Sequence, residues 1–313
     1  LSGVSRSAPV LHEPLEARRM FSNTWSITDR VLIIENDNDG HHIKVVTSGS
    51  SVGFYEDGLH QAWIGSHRMD KIVVNGNGGA DTIEFVSVRV ANSVIPPTIV
   101  NGGDGNDTIL GNYGNDVING DDGDDFLNDG NGHDYTNGGA GNDQLAFQYG
   151  NDTVSGGDGI DWMDLTLASR GCLITFDGLT NDYTSSNHLD NLLPDLETFI
   201  GSKFADKFHG SDADNEFFGN AGNDSLYGGG GNDSLHGGAG ADQLYGEAGN
   251  DTFYGGEGGS VAIARDSVFG GDGDDFFFGF RDLGIDQIDG GDGFDTLSDY
   301  EALDILTSIE AIV

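Results

Sequence analysis

Residues 219–254 read GNAGNDSLY GGGGNDSLH GGAGADQLY GEAGNDTFY, four blocks of nine residues that follow one another without a gap. Every block has Gly at its first and fourth positions, Asp at its sixth and Leu or Phe at its eighth. Glycine allows a tight turn with positive φ, and the three residues after the Asp suffice for a very short strand whose middle side chain points inward. One such strand cannot bury anything alone, so the repeat predicts short parallel strands stacked around a column of eighth-position side chains.

Blocks of this kind form two arrays. The first starts at Gly102 with GGDGNDTIL and continues through seven blocks to Asp164, and an outlying copy, GNGGADTIE, precedes it at residues 76–84. The second starts at Gly201 and continues to Ser298, interrupted by a six-residue insertion at 255–260 and by one eleven-residue unit, GFRDLGIDQID. The eighth residue is apolar in six of the seven blocks of the first array. The sequence therefore predicts two stacks of strands.

The sixth position supplies the candidate metal ligands. Carboxylate oxygens suit hard cations such as Ca²⁺, and stacking brings the Asp side chains of successive blocks close together. Their repulsion opposes folding unless a divalent cation lies between the turns. Asn215 interrupts the series. The candidates are Asp107, Asp116, Asp125, Asp134, Asp143, Asp152, Asp161, Asp206, Asp224, Asp233, Asp242, Asp251, Asp266, Asp275, Asp286 and Asp295.

The composition excludes several classes of function. The chain has 13 Lys and Arg residues against 53 Asp and Glu residues, which gives a formal net charge of −40. Such a charge repels the phosphates of nucleic acids and disfavours binding to an anionic membrane surface. No apolar run approaches the roughly 18 residues of a membrane span. Cys172 is the single cysteine, so no intrachain disulfide holds this Gly-rich chain together.

The blocks resemble the pattern GGxGxDxUx of the RTX (repeats-in-toxin) calcium-binding nonapeptide. The resemblance covers both arrays, and it implies an all-β fold: a right-handed parallel β-roll with two nonapeptides per turn. It also implies several Ca²⁺ ions, held between turns on one side of the roll by the sixth-position Asp side chains and by backbone carbonyls. Two blocks depart from the pattern, DGNGHDYTN around Asp134 and FQYGNDTVS around Asp152. Further candidate ligands at the third position, for which solvent exposure is the alternative, are Asp104, Asp122, Asp158, Asp272 and Asp292.

The segments outside the arrays complete the predicted organisation. We expect a tail at residues 1–24, a β-rich region at 25–74, the first roll at 75–164, a connector at 165–200, the second roll at 201–298 and a C-terminal connector or cap at 299–313. In the tail, HEPLEARRMFS resembles the LEPR-type motif of bacterial surface and secreted proteins, with Ala17 in place of Pro. Residues 36–46, NDNDGHHIKVV, look like a decayed repeat with His41 in place of Asp. The connector ends in LETFIGSKFADKF, which resembles the connecting coils of long RTX proteins, and we expect it to continue the stack.

No motif predicts catalysis. Residues 49–53 fit G-x-S-x-G, but a nucleophile elbow needs a strand, a strained turn and a helix, whereas VGFYEDG follows Ser51 and predicts a hairpin. His12 and Glu13 do not continue into H-E-x-x-H, so a zinc protease is not indicated. We therefore expect no enzyme activity.

The ninth position of the second array is aromatic or His in eight blocks. Stacked on successive coils, these rings would stabilise the ladder of strands. Alternatively, they would form a flat face that binds glycans or another protein. The residues are His209, Phe218, Tyr227, His236, Tyr245, Tyr254, Phe269 and Phe278.

Two functions remain open at this stage. The first is an extracellular calcium-binding structural protein that stays expanded where Ca²⁺ is scarce and folds where Ca²⁺ is millimolar. It would serve as a surface, matrix, adhesive or filament-forming element, with self-association into oligomers or filaments and a glycan or cell-surface partner as further expectations. The alternative is the folding and secretion module of a larger secreted hydrolase or toxin whose catalytic domain is absent from this sequence. Both predict a bacterial protein outside the cell.

Overall fold

The computed structural model describes residues 24–28, 30–36, 39–48, 51–65, 70–88, 96–146, 150–176, 182, 190–255, 265–280, 285–300 and 304–313. Within these residues every helix or strand element is a β-strand. No helix in this part of the chain is long and apolar enough to cross a membrane. The all-β class predicted from the repeats is confirmed, and the LEPR-type motif lies outside the described residues.

The strands are two to seven residues long. Before the first array they are β1 (Thr24–Thr28), β2 (Val31–Glu35), β3 (His42–Ser48), β4 (Ser51–Glu56), β5 (Leu59–Gly65), β6 (Lys71–Asn75), β7 (Thr82–Val88) and β8 (Thr98–Asp104). Those of the first array are β9 (Thr108–Asn112), β10 (Val117–Asp122), β11 (Phe126–Gly130), β12 (Tyr135–Ala140), β13 (Gln144–Ala146), β14 (Thr153–Asp158) and β15 (Trp162–Asp164). In and after the connector they are β16 (Leu173–Thr175), β17 (Asn191–Leu192), β18 (Thr198–Ile200), β19 (Lys207–His209), β20 (Glu216–Phe218), β21 (Ser225–Gly230), β22 (Ser234–His236), β23 (Gln243–Ala248), β24 (Thr252–Tyr254), β25 (Ser267–Asp272), β26 (Phe276–Phe280), β27 (Gln287–Asp292), β28 (Thr296–Tyr300), β29 (Ile305–Thr307) and β30 (Ala311–Ile312).

These strands form three sheets. Sheet I has the order β1-β2-β6-β8-β10-β12-β14-β17, and sheet III has the order β16-β19-β21-β23-β25-β27-β29. Sheet II has the order β30-β28-β26-β24-β22-β20-β18-β15-β13-β11-β9-β7-β3-β4-β5. Along the chain, strands of the first array alternate between sheets I and II, and strands of the second array alternate between sheets III and II. Sheet II is therefore continuous through both arrays and the connector.

The register repeats every two blocks. Val117 pairs in parallel with Tyr135 in sheet I, and Phe126 pairs in parallel with Gln144 in sheet II. Each step is 18 residues, so two nonapeptides form one turn of the roll. Where the chain carries the insertion at 255–260, the step lengthens to 24 residues and the pairing continues. The parallel β-roll implied by the resemblance is confirmed.

The eighth-position side chains form the core, as predicted. Their removal from water contributes roughly 1.5–3 kcal/mol for each large apolar side chain. This burial is the main attraction between coils of a highly charged chain. Residues of this column that are at most 1% exposed are Ile109, Ile118, Leu127, Thr136, Leu145, Val154, Met163, Phe208, Phe217, Leu226, Leu235, Leu244, Phe253, Val268, Phe277, Ile288 and Leu297.

The turns explain two of the glycine positions. In the block at 138–146, Gly139 and Gly141 have φ angles of 122° and 138°, which residues with a side chain rarely adopt. An ideal Cβ on Gly141 would overlap the backbone of Gly123 in the neighbouring coil. The second position also accepts Asp121 and Asn220, with φ angles of 74° and 67°, because Asp and Asn tolerate the left-handed region.

The N-terminal strands stack on the same sheets as the repeats. β2 pairs in parallel with β6, and β3 pairs in parallel with β7. β3 and β4 form an antiparallel hairpin in which Ser48 pairs with Ser51, so the hairpin predicted for the G-x-S-x-G segment is confirmed. Residues 49 and 50 themselves lie outside the described residues.

The connector carries sheet II from the first array to the second. β18 pairs in parallel with β15 on one side and with β20 on the other. Phe199 in β18 is fully buried, and its ring lies 5.8 Å from that of Phe208 and 5.9 Å from that of Phe217. The prediction that this segment continues the stack is confirmed.

Most ninth-position rings of the second array stack face to face, whereas Phe278 meets Tyr254 edge-on at 6.1 Å. The rings of His209 and Tyr227 are 4.3 Å apart with an interplanar angle of 3°. The ring of His236 lies between those of Phe218 and Tyr254, at 4.3 Å and 4.2 Å. The stacking predicted to stabilise the ladder is present.

Candidate metal centres

Hydrogen bonds join the sixth-position carboxylates of successive coils into rows. The backbone N–H of Asp125 donates to Oδ1 of Asp143 at 2.8 Å, and the N–H of Asp143 donates to Oδ1 of Asp161 at 2.8 Å. In the second array the N–H of Asp224 donates to Oδ1 of Asp242 at 2.8 Å. The parallel register places each Asp beside its counterpart in the next coil, so the row follows directly from the repeat.

Three rows run along the roll, each immediately before the strands of one sheet. The row of sheet II contains His41, Asp81, Asp107, Asp125, Asp143, Asp161 and Glu197, and further along Asn215, Asp233, Asp251, Asp275, Asp295 and Glu310. The row of sheet I contains Thr98, Asp116, Asp134, Asp152 and Asp190. The row of sheet III contains Cys172, Asp206, Asp224, Asp242, Asp266, Asp286 and Asp304.

Most of these carboxylates keep one oxygen without a donor. Asp125 and Asp143 are 3% and 0% exposed, and in each of them Oδ1 accepts the backbone N–H while Oδ2 is enclosed and receives no hydrogen bond. A buried charge that is not paired costs several kcal/mol. Among the described residues, the sixth-position carboxylates with such an Oδ2 are Asp107, Asp125, Asp134, Asp143, Asp152, Asp161, Asp224, Asp233, Asp242, Asp251, Asp275 and Asp295.

This oxygen lies close to a backbone carbonyl oxygen of the next coil. An ideal Cβ on Gly219, the first residue of its block, would lie 2.5 Å from Oδ2 of Asp224 and 2.5 Å from the carbonyl oxygen of Gly237, so these two oxygens are at most about 5.0 Å apart. Two oxygen ligands of one Ca²⁺ ion, each bound at about 2.3–2.6 Å, can be up to about 5.2 Å apart. The first-position glycine therefore leaves open a cradle lined by a carboxylate oxygen and a backbone carbonyl oxygen. The same arrangement occurs at Gly102, Gly120, Gly138, Gly246 and Gly270.

Burial raises the pKa of the row carboxyls, because an enclosed negative charge is poorly solvated. The pKa of Asp134 and that of Asp224 are raised to about 8, and the pKa of Asp107 and that of Asp233 are raised to about 7. The backbone N–H donors lower these pKa values but do not offset the burial. A divalent cation between the turns would supply the positive charge that allows these carboxyls to be ionised together.

The raised pKa values predict that acid favours folding when calcium is absent. In the calcium-free folded chain, Asp125 keeps its proton up to a pKa of about 6 and Asp224 up to about 8, whereas an unfolded Asp releases its proton near 3.8. Between these values the folded chain binds more protons, so the free energy of unfolding falls as the pH rises. We expect the β-sheet circular dichroism signal of the calcium-free protein to increase when the pH is lowered from about 8 to about 5. A constant or decreasing signal would contradict this.

In some sixth-position residues, both carboxylate oxygens accept hydrogen bonds from the protein. Oδ2 of Asp116 accepts the backbone N–H of Asn112 at 3.1 Å, and Oδ2 of Asp206 accepts the backbone N–H of Ser202 at 2.7 Å. Asn215 has an amide group at the equivalent place. These positions lack the free carboxylate oxygen that the other members of the rows offer to a cation.

The third-position candidates lie apart from the rows. Each of them is exposed, so the alternative of solvent exposure agrees with their placement. Their backbone carbonyls take part in the stack; the carbonyl oxygen of Asp122, for example, accepts the N–H of Gly105 at 2.6 Å. Binding of Ca²⁺ by their side chains stays a prediction. The residues are Asp104, Asp122, Asp158, Asp272 and Asp292.

The candidate ligands taken from the nonapeptide omit several members of the rows. Glu197 accepts the N–H of Asp161 at 2.9 Å, and Glu310 accepts the N–H of Asp295 at 2.9 Å. Both stand directly before a two- or three-residue strand, as Asp does in the regular blocks, and this placement is the signal that could have identified them. The members not predicted are Asp81, Asp190, Glu197, Asp304 and Glu310.

Comparison with protein families agrees with this geometry. The family model described as the RTX calcium-binding nonapeptide repeat matches residues 99–127, 110–145, 148–164, 197–226, 227–261, 264–279 and 280–307. These segments together cover more than half of the 313 residues and include both arrays. No curated protein matches the chain.

Proposed function

Because the chain belongs to the family of RTX calcium-binding nonapeptide repeat proteins, we propose that it acts outside the bacterial cell as a structural β-roll that folds when it binds Ca²⁺. The repeats bind several calcium ions, which is the property that defines the family. The structural role, the extracellular location and the absence of enzyme activity are the further parts of this proposal.

The buried Oδ2 atoms that receive no hydrogen bond support the coupling of folding to calcium. Without cations, the folded roll encloses many uncompensated carboxylates such as Asp143 and Asp242. The net charge of −40 adds repulsion that favours an expanded chain. Extracellular calcium modules work at about 10⁻⁴–10⁻³ M Ca²⁺. The roll would therefore stay unfolded at the low calcium concentration of the cytosol and fold after export.

The placement of the titratable groups supports a role without catalysis. The row carboxylates are held by backbone N–H groups and face the cation cradles, so they are poorly placed to exchange protons with a substrate. His236 lies inside an aromatic column, and burial lowers its pKa to about 4, so this imidazole is neutral near pH 7. We propose that the protein acts through its folded surface.

The ends of the sheets support self-association as the structural activity. Among the described residues, β30 and β29 form edges of sheets II and III, and Ile312 and Ile305 in them are 52% and 58% exposed. Unpaired strand edges with exposed apolar side chains favour pairing with another chain. A head-to-tail contact that does not close produces a filament. These edges favour a second copy of the chain as the partner, and the stacked faces of rings such as His209 and Tyr227 are occupied by their neighbours in the column.

We expect the calcium-loaded protein to self-associate. In millimolar calcium, light scattering should report a mass that increases with protein concentration. The double variant Ile305→Lys, Ile312→Lys should remain monomeric, because charges on edge strands block pairing. Its circular dichroism spectrum in calcium should match that of the unchanged protein, which is the control for folding. A calcium-loaded protein that stays monomeric at high concentration would contradict the proposal and favour the secretion-module alternative.

A further inference from the structure

The turn at residues 129–134 contains an acidic residue that the nonapeptide pattern does not include. Asp129 occupies the first position of DGNGHDYTN, where the conforming blocks have Gly. It lies near the end of β11, and its side chain is 0% exposed. Neither of its carboxylate oxygens receives a hydrogen bond, although both are buried. A carboxylate buried in this way is costly to ionise unless a cation pairs with it.

Two members of the sheet I row lie beside this carboxylate. Oδ1 of Asp134 accepts the N–H of Asp116 at 2.7 Å, and Oδ1 of Asp152 accepts the N–H of Asp134 at 2.9 Å. These bonds hold both side chains in place and leave Oδ2 of each buried without a hydrogen bond. Asp134 and Asp152 are 4% and 1% exposed, so bulk water does not reach their Oδ2 atoms to donate hydrogen bonds.

The three carboxylates are close enough for one ion. One oxygen from each of Asp129, Asp134 and Asp152 lies within 4.8 Å of the other two. Ca²⁺ binds oxygen at about 2.3–2.6 Å, so two ligands of the same ion can be up to about 5.2 Å apart. For three oxygens within 4.8 Å of one another, a common point lies no more than about 2.8 Å from each, so a small rotation of the side chains brings all three within reach of one Ca²⁺ ion.

We propose that Asp129, Asp134 and Asp152 form an additional calcium site of three carboxylates, and that this site binds Ca²⁺ more tightly than the cradles of the regular turns. The regular cradle at Gly219 brings together one carboxylate oxygen and one carbonyl oxygen. Calcium affinity rises with the number of negatively charged ligands. The ion bound at Asp129 is thus the first to bind and the last to leave, and it fixes the part of the roll where the blocks depart most from the pattern. This inference rests on calcium binding by the repeats and does not depend on self-association.

Two variants of Asp129 test the site. Asp129→Asn keeps the shape of the side chain and removes its charge, whereas Asp129→Gly restores the usual first residue of the block. Asp124→Asn is the matched control, because Asp124 is an exposed carboxylate in the preceding block, at a position where other blocks have Asn. Bound calcium is measured by equilibrium dialysis against a series of calcium buffers, and circular dichroism in millimolar calcium confirms that each variant folds.

We expect the unchanged protein and Asp124→Asn to retain one ion at free calcium concentrations that empty the remaining sites. Both Asp129 variants should lose this ion, with the dissociation constant of the tightest site increased by at least about tenfold. Tight binding that is unchanged in either variant would overturn the inference. An unchanged protein without an ion of higher affinity than the rest would overturn it as well. Neither result would affect calcium-dependent folding, which is measured separately by circular dichroism.

Discussion

Replacement of Asp233 by Ala should raise the calcium concentration at which the roll folds much more than replacement of Asp295 by Ala. Asp233 lies inside the second array, and its Oδ1 accepts the backbone N–H of Asn215 at 2.8 Å. Its own N–H donates to Oδ1 of Asp251 at 2.8 Å in the next coil. With Ala at position 233, the buried N–H of Asn215 loses its acceptor, at a cost of about 1–3 kcal/mol, and the cation cradle loses Oδ2.

The position of the residue within the stack determines how many interfaces between coils are weakened. In a stack held together by contacts between neighbouring coils, a break in the interior weakens two interfaces, whereas a break near an end weakens one. Asp295 accepts the N–H of Asp275 at 2.9 Å, and in the described residues the row continues beyond it with Glu310 alone. We therefore expect the smaller effect at Asp295, although both residues have a buried Oδ2 without a donor.

Calcium titrations followed by circular dichroism measure the difference. Asp233→Asn should shift the midpoint less than Asp233→Ala, because the amide oxygen still accepts the N–H of Asn215 while the amide nitrogen cannot bind a cation. Asn215 itself shows that the row accommodates this side chain. Asp214→Asn neutralises an exposed carboxylate in the neighbouring coil, at a position where other blocks have Asn, and should leave the midpoint unchanged. Equal midpoints for Asp233→Ala and Asp295→Ala would contradict a cooperative stack.

The period of the sequence predicts the parts of the fold that repeat with it. A parallel register places equivalent residues side by side in every second block, so the buried column containing Leu226 and Leu244 and the row containing Asp224 and Asp242 follow from position alone. The same argument places the ninth-position rings in stacked columns. These positions are predictable because each block contacts the same kinds of residues as the block two positions earlier.

The sequence does not predict features that depend on one departure from the period. Glu197 joins the row of sheet II although its segment is not a nonapeptide, because its longer side chain still brings a carboxylate to the N–H of Asp161. Asp129 replaces a first-position glycine, and its role depends on which side chains the neighbouring coils direct toward it. Likewise, the hydrogen bonds that Oδ2 of Asp116 and Oδ2 of Asp206 accept depend on single contacts with the backbone of Asn112 and Ser202. Each of these features requires three-dimensional contacts that no spacing rule contains.

Removal of calcium should abolish the folded roll, and this is the largest effect that we expect. The chain has a net charge of −40, a single cysteine and rows of buried carboxylates with unpaired oxygens such as Oδ2 of Asp107 and Oδ2 of Asp251. The apolar column attracts the coils to one another, but without cations this attraction must overcome the cost of burying ionised carboxylates in most of the turns. High NaCl screens exposed charges and leaves buried charges largely unscreened, so it should not replace calcium.

Magnesium should be a poor substitute for calcium. The cradle at Gly219 brings together Oδ2 of Asp224 and the carbonyl oxygen of Gly237. Ca²⁺ accepts such oxygens in a flexible arrangement of about six to eight ligands, whereas Mg²⁺ demands oxygen ligands at about 2.0–2.1 Å in a strict octahedral arrangement and gives up its water reluctantly.

The most direct test of the account is the far-UV circular dichroism spectrum of the full chain in EDTA, in about 1 M NaCl with EDTA, and in millimolar Mg²⁺ or Ca²⁺ at neutral pH. We expect the spectrum of a coil in the first two solutions, little β-sheet signal with Mg²⁺, and a cooperative appearance of the β-sheet signal as Ca²⁺ is added. A full β-sheet spectrum in EDTA at low ionic strength would contradict the central claim that calcium bound between the turns holds this roll together.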